Sequence, residues 1–266
     1  MEEPQLPSDP QPEAPQPPSM SLWGRLFNVF ATPGEVFQEV KDARVSTANW
    51  LVPALILIVV SWGSSLVIFS QPSITHQLSE ITEQAIQQQV EKSKMSEQQA
   101  EQARAMGEKW AGISAKIGAA LTPVIAGFLT PFFWGLIIWG VGSGLLKGHF
   151  PYMKAVEIVG LANMLSILEI ILRTLLIVGF GNLYASTSLV LLVKTFDPQN
   201  TVHSLLALVN VMTFWLLAVR GVGLARLSGA SVAKAVAWVF GVWAAYTGLL
   251  VGLAYVAKTA FKRIGG

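Results

Sequence analysis

Two oppositely charged side chains stand four residues apart in the middle of an apolar run: Glu169 and Arg173, within LANMLSILEIILRTLLIVGF from Leu161 to Phe180. An acid and a base at that spacing share one helix face, in the favourable order with the acid nearer the N-terminus. In hydrocarbon each charge costs about 2.5 kcal/mol or more even on permissive insertion scales, so the pair needs a reason. Three chemistries compete: a proton or ion path, a partner-binding site, or mutual neutralisation while helices pack. Arg173 lies close enough to the end of the run for its stem to snorkel toward water. Glu157 falls in the first turn of the same segment, where the helix dipole and interfacial water favour an anion. Arg220, toward the end of the next apolar segment, is a further partner for the acid. Glu157, Glu169, Arg173 and Arg220 therefore make up the candidate intramembrane polar site, and the reading favoured for the pair is structural.

The rest of the chain offers few tools for catalysis. Its apolar segments contain no Asp and no His, and the sequence has neither an HExxH nor a GxSxG pattern. Ser61, Ser64, Ser65 and Ser166 have no base in the same layer. Cysteine is absent, and His76, His149 and His203 are scattered outside the apolar runs, which leaves no metal-ligand spacing. No Gly-rich phosphate loop opens a helix. The expectation is a non-enzymatic protein with no catalytic residue, no cofactor and no metal. A net charge of +2, with the basic residues spread singly, gives no footprint for nucleic acid.

Hydrophobic residues make up 52% of the chain and charged ones 13%, with a mean hydropathy of +0.52, so lipid is the expected solvent. Five segments are long and apolar enough to cross hydrocarbon about 30 Å thick. They lie near Trp50–Phe69, Leu121–Leu146, Val156–Val178, Leu205–Leu224 and Ala235–Val256. Trp50, Trp139 and Tyr255 sit toward segment ends, as an interfacial belt requires, whereas Trp62 and Trp134 sit deeper and are expected between helices. Prolines 123 and 131 fall inside the second segment, and Pro131 is expected to kink it by removing a backbone hydrogen bond. Gly140 with Gly144, and Gly248 with Gly252, have the small-xxx-small spacing that lets helices approach, within the chain by preference and otherwise between copies.

Around these spans the organisation changes by composition. Residues 1–20 hold seven of the fourteen prolines with Glu2, Glu3, Asp9 and Glu13, and read as a disordered acidic tail without the features of a secretory signal, so that export relies on the first span. Residues 21–49 read as two amphipathic helices, the second opened by Thr32, Pro33 and Glu35 as a capping box. They either lie in the headgroup region or pack onto the bundle. A polar insert over 71–117 reads as two solvated helices with a break at KSKMSEQQ, where Ser96 and Gln99 fit a second capping box. LYASTSLVLLVKTF, over 183–196, is too short to span and reads as a re-entrant or interfacial helix. The membrane domain thus covers 50–257 and a basic C-terminal tail 258–266.

Arg25, Lys41, Arg44, Lys147, Lys154, Arg220, Arg226 and Lys234 fall on one side of a five-span arrangement. Lys194, Lys258, Lys262 and Arg263 fall on the other, with five more in the long insert, where the rule has less force because they alternate with acids. The short loops alone place the amino terminus in the cytoplasm, although the tail argues the other way.

Three stretches also carry a resemblance. LFNVFATPGEVFQEVK before the first span, YMKAVEIVGLANML leading into the third, and FWLLAVRGVGLARLSGASVAKAVAWV joining the fourth and fifth are similar to the YIP domain family, the Ypt/Rab-GTPase-interacting membrane proteins, in its bacterial branch. The resemblance runs over roughly Leu22 to Val256, interrupted by the polar insert. It implies an all-α, five-span membrane domain with a cytoplasmic amino terminus and no catalytic activity, whose eukaryotic members act in vesicle trafficking through small GTPases. The eukaryotic DLYGP signature does not occur here, and the long insert departs from the family's short connection. No functional role comes to Glu157 from the resemblance. The expected function is a membrane-organising or partner-binding module in the bacterial inner or plasma membrane, with the bilayer and a membrane or peripheral protein as partners and oligomerisation open. The alternative is a small transporter or channel component using Glu169 and Arg173.

Overall fold

A computed structural model describes residues 20–93, 97–193, 196–198 and 200–264, and within them the chain is all-helical without a named strand. The acidic tail expected before Met20 and the capping box expected at Ser96 lie outside the described residues. Two short helices come first, α1 (Leu22–Asn28) and α2 (Pro33–Asp42). Ser21 caps α1 by accepting a hydrogen bond from the Gly24 N–H. Thr32 does not do the same for α2: its hydroxyl turns back to the Asn28 carbonyl at 3.5 Å, and Pro33 with the first-turn acid Glu35 favours the helix start. Both helices pack onto the bundle, with Leu26, Val36, Phe37 and Val40 fully buried. Yet Trp23 and Phe27, on the other face of α1, stay 61% and 66% exposed. The amphipathic segment therefore has two apolar faces, one used by the fold.

The first span is α3 (Ala48–Phe69), and α4 (Pro72–Ser93) comes almost at once after it. Its partner is the 44-residue α5 (Glu97–Gly140), which begins in the polar insert and continues as the second span without interruption. The insert is therefore a helical hairpin whose second arm enters the membrane. Pro123 and Pro131 lie inside this helical run, which ends in a π turn over Val141–Leu145. The third span is α6 (Tyr152–Ala162) followed by α7 (Met164–Phe180), offset at Asn163. The fourth begins later than its apolarity suggests. α8 (Thr201–Leu208) is a separate short helix, and α9 (Val211–Ser228) starts where the Asn210 side chain accepts from the Met212 and Thr213 N–H groups. The last helix, α10 (Val232–Ile264), supplies the fifth span and extends beyond it. Among the described residues five helical runs, the third made of α6 and α7 together, are thus long and apolar enough to cross a membrane.

Among the described residues of 183–196 no helix of useful length forms. Among its described residues the segment holds one 3-10 turn, Leu189–Leu192, and Ser188 makes an isolated antiparallel bridge with Asn210. The side chains of Ser186, Thr187 and Ser188 bond locally or to Asn210, and these bonds compete with helix formation.

The main core gathers α2, α6 and α9 around Phe37, Ile158, Leu161, Leu217 and Leu224. Close approach there depends on Gly160, because the Trp50 Cα and Cβ stand where a side chain would begin. Gly140, Gly144, Gly248 and Gly252 have nothing within 4 Å of the equivalent point, so intrachain packing does not use them. Sequence spacing finds glycines that permit contact; only the positions of the helices decide which ones are touched.

A candidate functional site at the buried polar clusters

The four predicted polar residues do not converge. Glu169 accepts a hydrogen bond from the Asn210 Nδ2 at 2.9 Å, joining α7 to the start of α9. Arg173 is exposed on α7, and the two form no ion pair among the described residues. Asn210 is simultaneously the cap of α9, so its amide group serves a helix N-terminus through oxygen and a carboxylate through nitrogen. A neutral partner that can donate therefore replaces the cation expected for Glu169.

Arg220 is 3% exposed and approaches neither acid. One Nη donates to the Asn163 Oδ1 at 3.0 Å, and the guanidinium carbon lies 4.7 Å from the centre of the Trp134 ring. The aromatic face and amide offset part of the cost of burying the cation. Its Nε has no hydrogen-bond partner. Trp134 is thus the deep tryptophan expected between helices, with a cation on its face. Trp62 remains 43% exposed but reaches from α3 to donate to the Ala120 carbonyl of α5 at 3.0 Å. Trp50 packs edge-on against Phe132, 4.9 Å between centres, inside the bundle.

Glu157 is the residue whose setting differs most from expectation. It is 0% exposed, because α2 and the start of α3 pack over the end of the span where the sequence predicts interfacial water. Asn49, at the first turn of α3, donates through Nδ2 to the Glu157 Oε2 at 2.5 Å. The Lys154 ammonium lies 3.3 Å from the other carboxylate oxygen, near enough for charge attraction though not aligned for a hydrogen bond. That ammonium also donates to the carbonyls of Val40 and Ala43 at 2.5 and 2.7 Å, closing the C-terminal end of α2. Asn49 passes the network on: its Oδ1 accepts from Arg25 at 3.3 Å, and Arg25 pairs with Glu39 at 2.7 Å. Two cations and two anions from α1, α2 and α6 thus meet around one amide from α3, with formal charges that cancel.

Lys154, Asn49, Asn163 and Asn210 are not singled out by sequence patterns. Lys154 enters there only as a topological charge, although its spacing from Glu157 places both on one helix face. The asparagines carry the signal available: single amides at the edges of apolar segments, where a polar group needs a partner.

The chemistry open to these clusters is limited. The hydroxyls of Ser61 and Ser65 donate to carbonyls one turn back in their own helix, at 2.7 and 2.9 Å. Among the described residues no group of three His, Cys, Asp or Glu gathers to hold a metal. The clusters hold helices at fixed separations and carry no paired nucleophile and base.

The family model of the Yip1 domain matches residues 27–254, from α1 through the fifth span. The chain belongs to the Yip1 domain family. No curated protein and no solved structure matches it. In this Yip1 domain the matched region contains the whole clamp around Glu157 except Arg25, and both asparagine junctions. The polar hairpin falls inside the matched range as well. The family is not known as an enzymatic one.

Proposed function

We propose that this Yip1 domain is a non-enzymatic module that organises partners or bilayer, with its amino terminus in the cytoplasm of a bacterial cell. One observation carries this reading: the buried polar side chains are occupied in joining helices to one another. The accessible features are of a different kind. They are the hairpin of α4 with the first half of α5, and the exposed aromatic pair Trp23 and Phe27 on α1. A partner docks on the hairpin, and the aromatic pair sits at the membrane surface, where such rings are favoured. Lys41 and Arg226 line one shallow pocket at the end of the bundle that carries α1 and α2, which supports the cytoplasmic orientation.

In vivo photocrosslinking from Ser79 and Glu83 on α4 tests the reading. A reproducible companion is the expected result; a protein recovered bare from every position sinks it. A transport reading draws on a cleft beside Pro123 that contains Asn163 and Ser166. Neither Glu169 nor Arg173 lines it, so flux in proteoliposomes, if present, would be insensitive to Glu169→Gln.

A further inference from the structure

We propose that the cleft between α3, α5 and α7 is a binding site for one acyl chain of a bilayer phospholipid, from the leaflet on the hairpin side. The cleft has a volume of about 620 Å³. It runs along α3 from Leu57 to Phe69 and along α5 from Thr130 to Ala115, which is about 18 to 22 Å at the helical rise. One leaflet's hydrocarbon is about 15 Å deep, so the slot reaches from the middle of the membrane to the headgroup level of one side.

Its closed and open ends result from packing. At the deep end Gly127 lets α5 rest on α3, with the Ala54 carbonyl and the Ile58 side chain 3.2 Å from where a Cβ would begin. Toward the hairpin the two helices part, and Gly118 has nothing within 4 Å of that point. Ten of its sixteen lining residues are apolar, among them Leu57, Phe69, Ala126 and Ile170. Of the six polar ones, Ser61 and Ser65 give their hydroxyl hydrogens to backbone carbonyls of α3, and Thr122, Thr130, Asn163 and Ser166 are spaced along the wall. Asn163 stands at the deep end with its carbonyl oxygen already taken by Arg220. A polar solute would find only the separated hydroxyls of Thr122, Thr130 and Ser166 and the Asn163 amide nitrogen, whereas a methylene chain needs no partner and fills space that would otherwise lack contacts. Because the cleft lies along segments that cross the membrane, the available solvent with these properties is lipid itself.

The test uses the full chain in phosphatidylcholine vesicles containing a minor fraction of phosphatidylcholine with a diazirine at the end of one palmitoyl chain. After irradiation, adducts that retain the headgroup mass should concentrate near Thr130, Asn163 and Ser166. The expected yield is about ten-fold above that on the exposed residues Leu129 and Leu136, equivalent to about 1.4 kcal/mol of preference. Ala126→Phe, which fills the slot, should abolish the enrichment, and Leu129→Phe should leave it intact. Should Ala126→Phe fail to fold, Gly118→Leu at the mouth gives the same reading. Because the chain has no cysteine, Ser166→Cys supplies a single thiol. Even labelling across cleft and lipid-facing positions, or persistence of the enrichment in both filled variants, overturns the proposal. So does modification of that thiol by a membrane-impermeant maleimide, which would identify a water-filled path.

Discussion

The two ends of this helical bundle are held by different means. At the end that carries α1 and α2, ion pairs, amide bridges and backbone contact act together. Lys154 closes α2, Asn49 bridges Glu157 and Arg25, and Gly160 admits the backbone of α3. At the hairpin end a small cluster of Ile74, Ile177 and Ala185 is joined by the Gln77 side chain, which bonds the Gly181 carbonyl and the Leu183 N–H. The helices there separate to leave the acyl-sized cleft. The membrane span is therefore not uniformly packed: specificity of arrangement is concentrated where buried polar groups must find partners, and looser contacts suffice where lipid can fill the gaps.

The largest test of this contrast is Glu157→Ala. It strands the Lys154 cation and the Asn49 amide in a sealed site, and should cost about 3–5 kcal/mol in reversible unfolding from detergent micelles. Replacing both charges, Lys154→Met with Glu157→Leu, should cost less than the single change. Wild-type stability in Glu157→Ala would remove the clamp from the account. Next in size is Gly160→Ala, where the new methyl meets backbone that has no room to yield, and overpacking of this kind costs about 1–3 kcal/mol. Gly248→Ala, facing open space, should show no such loss in the same assay. Equal effects at the two positions would mean that the helices approach each other differently from the arrangement described.

Asn210→Ala removes a helix cap and the partner of Glu169 together, for an expected loss of about 1–2 kcal/mol. Its effect should be matched only in part by Glu169→Gln, which keeps an acceptor for the amide. The smallest change belongs to the hairpin end: Gln77→Ala deletes two hydrogen bonds in a partly solvated place and should cost about 1 kcal/mol. Amide exchange sharpens the same contrast, with α4 expected to lose protection well before α6 and α9. Slower exchange in α4 than in α6 would reverse the ranking of the two ends.

Much of the architecture is readable from composition and period. Apolar length alone identifies five spans, since a membrane demands about 20 residues of helix and little else in the chain supplies them. The polar insert and the helices before the first span are legible for the same reason, as departures from that length and polarity. The start of the fourth span is not, because Leu205 to Leu208 is as apolar as α9 itself and the boundary is set by Asn210. The segment over 183–196 misleads in the same way: it is apolar, but its hydroxyls and the bridge to Asn210 outweigh the pattern.

Composition and length were enough to establish that lipid is the solvent, how many times the chain crosses it, and which polar residues would need partners there. They suffice because hydrophobic transfer is a local property, summed residue by residue along a segment. The identity of the partners was settled by the packed bundle: Asn210 for Glu169, Asn163 and Trp134 for Arg220, Asn49 and Lys154 for Glu157. Except for Lys154 and Glu157, these pairings join residues 41 to 108 positions apart. No spacing rule reaches that far, because the choice rests on how whole helices pack.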